Sequence, residues 1–250
     1  GLSPGCFSCS AGGYTTIRFY RKSRTSPLLC AALAESTSPQ MANDAALPED
    51  VRVVWDLEKA FREATPTRER VCLNGLWRWQ PAHESMASVP TNSWGWFKVP
   101  GCWPGITDYL QKDCQTLHVH PAWSEVKLSE VKVAWYQRAI HIPKDWNGRR
   151  VRLAFEYLNS HAVVFMDGQP AGETRFPTGE VDITEYCRPG GQHLLSVLVT
   201  AMPLKAVLFS HADSTGTRMV EGKVARRGLC GDVYLIGEPA GSRIEEVRVR

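Results

Sequence analysis

The amino-acid sequence predicts an all-β protein, built as a sandwich or jelly roll of short strands. Val151, Leu153 and Phe155 alternate with other residues and would share one face of a strand. The dipeptides Asn147-Gly148 and Asp167-Gly168 favour tight turns. Short apolar segments separated by such turns, with no internal repeat, are typical of sandwiches and jelly rolls.

The predicted strands follow one another closely from residue 134 onward. A strand that begins at Ala134 ends at Pro143, and Lys144–Gly148 is expected to turn the chain back as a tight hairpin. His193–Ala201 is nearly continuous apolar sequence, as expected for a central strand that is covered on both faces. The other expected strands are Arg150–Leu158, His161–Met166 with a hairpin return through Pro170 to Thr174, Gly231–Gly237 and Arg243–Arg250.

Residues 1–50 differ in composition from the rest of the chain. They are rich in Ser, Pro, Gly and Ala without helix or strand periodicity, which predicts a disordered tail before a folded part that begins near Val51. Basic residues precede the apolar run 28–34, an order that is similar to an export signal and would give an extracellular or periplasmic location. The alternative is translated upstream sequence, with Met41 as the start.

Composition excludes several classes of partner. The net charge is only +3, and no block of five like charges occurs, which argues against nucleic-acid binding. No run approaches the roughly 20 apolar residues of a membrane span. Of the eight cysteines, only Cys6 and Cys9 have metal-ligand spacing, and no second ligand pair follows, so no metal or other cofactor is expected.

Several short motifs occur in an order that carries a family resemblance. They are Leu73-Asn74-Gly75-Leu76-Trp77, Val99-Pro100-Gly101-Cys102-Trp103, Trp135-Tyr136-Gln137-Arg138, Val164 to Gly172 and Arg227 to Leu235. In this order the chain resembles the N-terminal domain of glycoside hydrolase family 2 over about residues 51–240. Each motif is weak alone, but their common order makes the resemblance specific.

The resemblance implies a galactose-binding-like jelly roll for residues 51–240, with residues 241–250 as the truncated start of an immunoglobulin-like domain. In the family a catalytic TIM barrel follows, and two Glu residues hydrolyse β-glycosides with retention. The acid/base of the family lies in an Asn-Glu pair, and this chain contains no such pair. We therefore expect no catalytic residue in these 250 residues, and a β-glycoside or oligosaccharide substrate reached only through the complete enzyme.

The resemblance also suggests where this domain would contact a sugar. Cys102 stands where β-galactosidases of the family carry a sugar-contacting Asn, and a thiol is a weaker hydrogen-bonding group than an amide. The substitution argues against β-galactosidase specificity. Asp213, in the loop between Ser210 and Arg227, is the acidic residue best placed to extend toward the active site.

Tryptophans provide the other sugar-contact candidates. Trp77, Trp103 and Trp135 fall within the motifs and are expected in the core, whereas Trp94 and Trp96 could expose a ring to a sugar. Trp123 is a further candidate for an exposed ring. His118 and His120 could chelate a metal from one strand face, but no third ligand is evident.

Two further interpretations remain open at this point. Glu180 and Asp182 would point to one face of a strand, as many solvated pairs do, and nothing indicates the apolar pocket that glycoside hydrolysis needs. A stand-alone carbohydrate-binding module, which grips polysaccharide through stacked tryptophans, is the alternative to an enzyme domain.

Overall fold

The computed structural model describes residues 44–82, 88–103, 116–211, 219, 221–222 and 226–241. Within these residues the chain forms fourteen strands and one α-helix, and every strand pairing is antiparallel. The predicted all-β sandwich is confirmed. The strand predicted at Arg243–Arg250 lies outside the described residues.

Two sheets carry most of the strands, and a separate two-stranded ladder contains the other two. The five-stranded sheet has the order β1-β2-β14-β7-β11, the seven-stranded sheet has the order β10-β9-β12-β6-β3-β4-β5, and β13 pairs with β8. The strands are β1 (Arg62–Ala64), β2 (Glu69–Cys72), β3 (Gly75–Ala82), β4 (Gly95–Val99), β5 (Leu117–His118), β6 (Val133–His141), β7 (Arg149–Phe155), β8 (Leu158–Asn159), β9 (His161–Met166), β10 (Gln169–Arg175), β11 (Gly179–Asp182), β12 (Gln192–Thr200), β13 (Gly228–Leu229) and β14 (Val233–Pro239).

The strand pattern read from the sequence places the core correctly. Val151, Leu153 and Phe155 all belong to the main buried cluster, which also includes one face of β12. β12 pairs with β6 on one side and β9 on the other, so it is the central strand that its apolar run predicts. The β9–β10 hairpin is confirmed as well, with Asp167 and Gly168 at φ +50° and +80°.

The hairpin predicted at Lys144–Gly148 is wrong. β6 belongs to the seven-stranded sheet and β7 to the five-stranded sheet, so the connection crosses between sheets. It contains a short 3-10 helix (Lys144–Trp146), whose buried Trp146 donates its indole N–H to Glu69 at 2.7 Å. The Asn-Gly signal marks the positive φ of Gly148, but the burial of Trp146 decides where the chain goes next.

The folded part begins before Val51. The backbone N–H of Ala45 donates to the carbonyl of Trp94 at 2.7 Å, and the side chain of Asp44 accepts a hydrogen bond from Arg78 Nε at 2.8 Å. Asp44 and Ala45 therefore belong to the folded part and not to the predicted tail of residues 1–50. Residues 1–43 of that tail lie outside the described part.

The single helix of the described residues, α1 (Leu204–His211), follows β12. Neither it nor any other described segment forms a helix of the length and apolarity needed to span a bilayer.

Candidate functional site

The candidate site lies at the end of the sandwich where two motif segments meet. After β4, the segment Val99–Trp103 runs antiparallel to the segment that contains β13. Gly101 N–H donates to Leu229 O at 2.9 Å, and Trp103 and Arg227 exchange backbone hydrogen bonds of 2.9 and 3.1 Å. Two segments that are more than 120 residues apart in sequence are thereby joined in register.

Gly228 allows this approach because no other residue would fit there. Its φ is +112°, a region that side chains rarely adopt. A Cβ atom at this position would lie 2.5 Å from both the ring of Trp103 and the hydroxyl of Tyr136. The missing side chain therefore brings the backbone into contact with the aromatic cluster beneath it.

That aromatic cluster forms the floor of the site. The ring centroids of Trp79 and Trp103 are 5.8 Å apart, and those of Trp103 and Tyr136 are 6.0 Å apart. The Trp103 indole N–H donates to Val131 O at 3.0 Å, which fixes the orientation of the ring. Trp103 and Trp77 are fully buried, as the motifs predict. Trp135 is also fully buried but packs against Phe165, outside the main core cluster.

Two cysteines come together above this floor. Because residues 101 and 229, and 103 and 227, are paired, Cys102 faces Gly228 and has Cys230 as its diagonal neighbour on the same side. Both thiols are half-buried and neither is in a disulfide. A hydrogen bond from the Cys230 thiol, with help from the Arg226 charge, lowers the pKa of Cys102 to about 7, whereas that bond and burial raise the pKa of Cys230. Near neutral pH, Cys102 can therefore act as an anionic hydrogen-bond acceptor or a nucleophile.

Two buried polar atoms beside the thiols have no hydrogen-bond partner within the described residues. They are the hydroxyl oxygen of Tyr136 and the side-chain carbonyl oxygen of Asn159. The amide nitrogen of Asn159 donates to Arg226 O at 2.8 Å, so the residue is held in place while its oxygen stays unpaired. Burial raises the pKa of Tyr136 well above its ordinary value, so the phenol stays neutral and able to donate. Both atoms are enclosed by protein, Tyr136 beneath the backbone of Gly228.

Of the four sugar-contact residues predicted from the sequence, only Cys102 lies at this site. The expectation of an exposed ring is wrong for Trp94 and Trp96, which are 1% and 4% exposed. The Trp96 indole N–H donates to Ala45 O at 3.0 Å, because residues 44 and 45 cover this part of the sheet. Asp213 lies outside the described residues.

Of the remaining aromatic and histidine candidates, Trp123 and His120 have structural partners, whereas the buried Nε2 of His118 has no hydrogen-bond partner within the described residues. Trp123 is buried and donates its indole N–H to Ser93 O at 2.9 Å, so it offers no exposed ring. His120 Nδ1 accepts a hydrogen bond from Ala122 N–H at 3.0 Å at the start of a short helix. Across the described ranges, no three His, Cys, Asp or Glu side chains are grouped as metal ligands.

Glu180 and Asp182 are engaged in ion pairs on the exposed face of β11. Glu180 pairs with Arg152 and, at 3.4 Å, with Arg68. Asp182 lies 3.7 Å from Arg150 and accepts a hydrogen bond from Thr184 N–H at 3.0 Å. Exposed carboxylates held by arginines lack the apolar surroundings that raise the pKa of a glycosidase acid.

Sequence reasoning missed the other members of the site. Cys230 belongs to the quoted motif Arg227–Leu235, but only the strand register shows that it meets Cys102. Asn159 carried no signal in the sequence, and Tyr136 gave no sign that its hydroxyl reaches this end of the molecule.

Comparisons with known proteins point to one group of enzymes. No protein-family model matches the chain. A β-glucuronidase of Paenibacillus borealis is 23% identical over 141 residues, which are 56% of this chain and 22% of that protein. Solved β-glucuronidases of an uncultured Clostridium species and of Ruminococcus gnavus superpose with TM-scores of 0.52 and 0.53, at 21% and 17% identity.

These structural matches cover 72% of this chain but only 30% of each solved enzyme. The chain thus spans less than a third of the length of the proteins that it resembles. At the level of fold, the predicted β-sandwich is shared with these β-glucuronidases over 72% of this chain.

Proposed function

We propose that this chain is the N-terminal accessory domain of a retaining β-glycosidase of glycoside hydrolase family 2, whose catalytic acids lie on a barrel outside these 250 residues. One observation carries the proposal. On a fold shared with β-glucuronidases, the segments that carry the family motifs, Val99–Trp103 and Arg227–Leu229, meet at one end of the sandwich.

The carboxylates of the chain support an accessory role. A retaining mechanism needs two carboxyl groups about 5 Å apart, one of them protonated in an apolar pocket. The strand pair that the sequence offered, Glu180 and Asp182, is exposed and bound to arginines. The proposed contribution of the domain is therefore to support the barrel and to close one wall of its substrate cleft.

The site explains how such a wall could work. Cys102, Tyr136 and Asn159 gather an ionisable thiol and two unpaired buried oxygens at one end. In the complete enzyme the half-buried thiol of Cys102 would receive a polar atom of the barrel or of a β-linked sugar. Since the proteins with the shared fold are β-glucuronidases, an aryl β-glucuronide is the first substrate to test.

The test compares the isolated chain with the complete gene product. We expect no release of nitrophenol from aryl β-glucuronides or β-galactosides by the isolated 250 residues. The complete product should hydrolyse the preferred glycoside and lose activity when residues 41–241 are deleted. Hydrolysis by the isolated chain that survives purification and disappears in E180Q or D182N would contradict the proposal.

The alternative, a stand-alone carbohydrate-binding module, predicts a different result. Calorimetric titration of the chain with oligosaccharides should then give saturable heat that is lost in W94A or W96A. The burial of both rings argues against that outcome, because neither presents a face on which a sugar could stack. We expect no saturable heat from the isolated domain.

A further inference from the structure

A second feature is a groove between the segment 47–61, the end of β2, the start of β3 and the interior of β6. The groove has a volume of about 830 Å³, within the range of small-molecule sites. Its lining is largely apolar and includes Trp55 and Leu76. Arg138, the last residue of the Trp-Tyr-Gln-Arg motif, also lines it.

Arg138 is a buried cation without a counter-ion. Its side chain extends from the core-facing side of β6, and only 8% of the residue is exposed. Within the described part of the chain, no carboxylate lies within ion-pair distance of it, and its Nε atom is buried without a hydrogen-bond partner. One weak hydrogen bond of 3.4 Å to Leu76 O is its polar contact.

The guanidinium stays charged in this position. Burial lowers the pKa of Arg138 to about 10, which leaves the group cationic at neutral pH. Cys72, which also lines the groove, does not neutralise it, because burial raises the pKa of that thiol. The ring of Trp77 lies 5.6 Å from the guanidinium carbon and holds it on one side.

The other charged residues of the lining do not supply the missing anion. Asp56 pairs with Lys59 at 3.3 Å, and Arg52 adds a further positive charge. The lining therefore carries three cations against one carboxylate. A buried charge that lacks a partner is unfavourable, and an incoming anion would relieve that penalty.

The rim of the groove is apolar and exposed. Val54 is 81% exposed and Phe61 is 65% exposed, and both line the groove. A strongly hydrated inorganic anion has no apolar surface to bury against these side chains and gains no binding free energy from them. An organic acid can pack its apolar part on them.

We propose that this groove is a binding site for a small organic carboxylate, whose carboxylate pairs with Arg138 and whose apolar body packs on Val54 and Phe61. Arginine suits this role because its planar fork matches a carboxylate, which is also planar. The site does not depend on the glycosidase role proposed above.

Phenylacetate is the probe that tests the site on the complete 250-residue chain. Binding is followed by tryptophan fluorescence, since Trp55 lines the groove and Trp77 adjoins Arg138. Phenylacetamide, which has the same shape without the charge, should bind at least about tenfold more weakly, a difference of about 1.4 kcal/mol. Inorganic phosphate should not compete at equal concentration.

Two variants locate the site. R138M keeps an unbranched, although shorter, side chain and removes the charge, and it should weaken phenylacetate binding by at least about tenfold. Because Arg138 is buried, V54S on the exposed rim provides a second test that should not disturb folding, with an expected loss of about threefold. V126S is the matched control, since Val126 is 41% exposed and does not line the groove.

Each result decides the proposal. Saturable binding of phenylacetate that is weakened by V54S and unchanged by V126S supports it if R138M does not fold, whereas a folded R138M that binds phenylacetate as tightly as the unmodified chain overturns it. The proposal is overturned if phenylacetate shows no saturation up to about 20 mM, a limit set by the weakest affinities expected of so small a ligand. Equal binding of phenylacetamide, or competition by phosphate, would overturn it as well.

Discussion

The charge of Cys102 depends most strongly on the thiol of Cys230, with a smaller contribution from the charge of Arg226. A thiolate that accepts a hydrogen bond is stabilised relative to the thiol, so the pKa of Cys102 falls to about 7. Cys102 thus carries a negative charge for part of the physiological pH range. This single residue makes the polarity of the proposed cleft wall dependent on pH.

The reactivity of Cys102 should follow this charge. Alkylation by iodoacetamide, mapped by mass spectrometry, should reach half of its maximal rate near pH 7 at Cys102. Replacement C230A removes the donor and should move the midpoint upward, toward the ordinary value of 9.0. Cys187, whose pKa burial raises to about 12, is the internal control and should stay unmodified. An unchanged midpoint in C230A would contradict the assigned cause.

Gly228 shows how the absence of a side chain can be a requirement. Replacement G228A should destabilise the protein by about 2–4 kcal/mol, since it combines an unfavourable φ with overlap on Trp103 and Tyr136. The control is G148A, because Gly148 also has positive φ but no atom within 4 Å of its missing Cβ. The G148A replacement should lower the free energy of unfolding by only about 1 kcal/mol. Urea denaturation measures both, and equal losses would argue against steric overlap at Gly228.

At the scale of elements, the β9–β10 hairpin is attached to the sheet through its turn. The carboxylate of Asp167 accepts hydrogen bonds from Leu194 N–H at 2.7 Å and from His193 Nδ1 at 2.6 Å. A turn residue thereby sets the register between the hairpin and β12. The Asp-Gly signal in the sequence reports the turn, but not this second function of its carboxylate.

Replacement D167A should therefore lower the free energy of unfolding by about 2 kcal/mol, as expected for the loss of charged hydrogen bonds. D145A is the matched control, since Asp145 is an exposed residue of the connection between β6 and β7. It should change stability by less than about 0.5 kcal/mol. Thermal unfolding followed by circular dichroism compares the two, and a loss in D145A as large as in D167A would refute the role of the Asp167 carboxylate.

At the scale of the whole molecule, the folded part includes residues 44 and 45, which composition assigned to a disordered tail. Asp44 and Arg78 are both largely buried and form an ion pair, and Arg78 Nη1 donates to Gln137 at 3.0 Å. Residues 44 and 45 also cover Trp94 and Trp96. The folded unit thus begins several residues earlier than the first apolar segment suggests.

A chain of residues 51–250 should accordingly be less stable than a chain of residues 41–250. The expected difference is at least about 3 kcal/mol, because Arg78 loses the partner of a buried ion pair. Replacement D44A in the longer chain removes only the ion pair with Arg78. It therefore separates the loss of that pair from the loss of stability caused by exposing Trp94 and Trp96. Coincident urea transitions for the two chains would show that residues 41–50 contribute nothing to folding.

Much of the fold could be predicted because strands carry their signal locally. The faces of β7, the central position of β12 and the Asp-Gly hairpin all follow from residues within a few positions of each other. The connection after β6 could not be predicted in this way. An Asn-Gly turn is compatible with both a hairpin and a crossover between sheets. The hydrogen bond from the indole of Trp146 to the distant Glu69 selects the crossover.

The sequence by itself determined that this protein is an antiparallel β-sandwich, because alternation of apolar residues and turn residues are local properties. Only the tertiary structure decided that Cys102 meets Cys230, that Trp94 and Trp96 are covered and that Arg138 is buried without a counter-ion. Each of these depends on contacts between residues far apart in the chain. Burial and charge compensation are set by those contacts and not by neighbours in sequence.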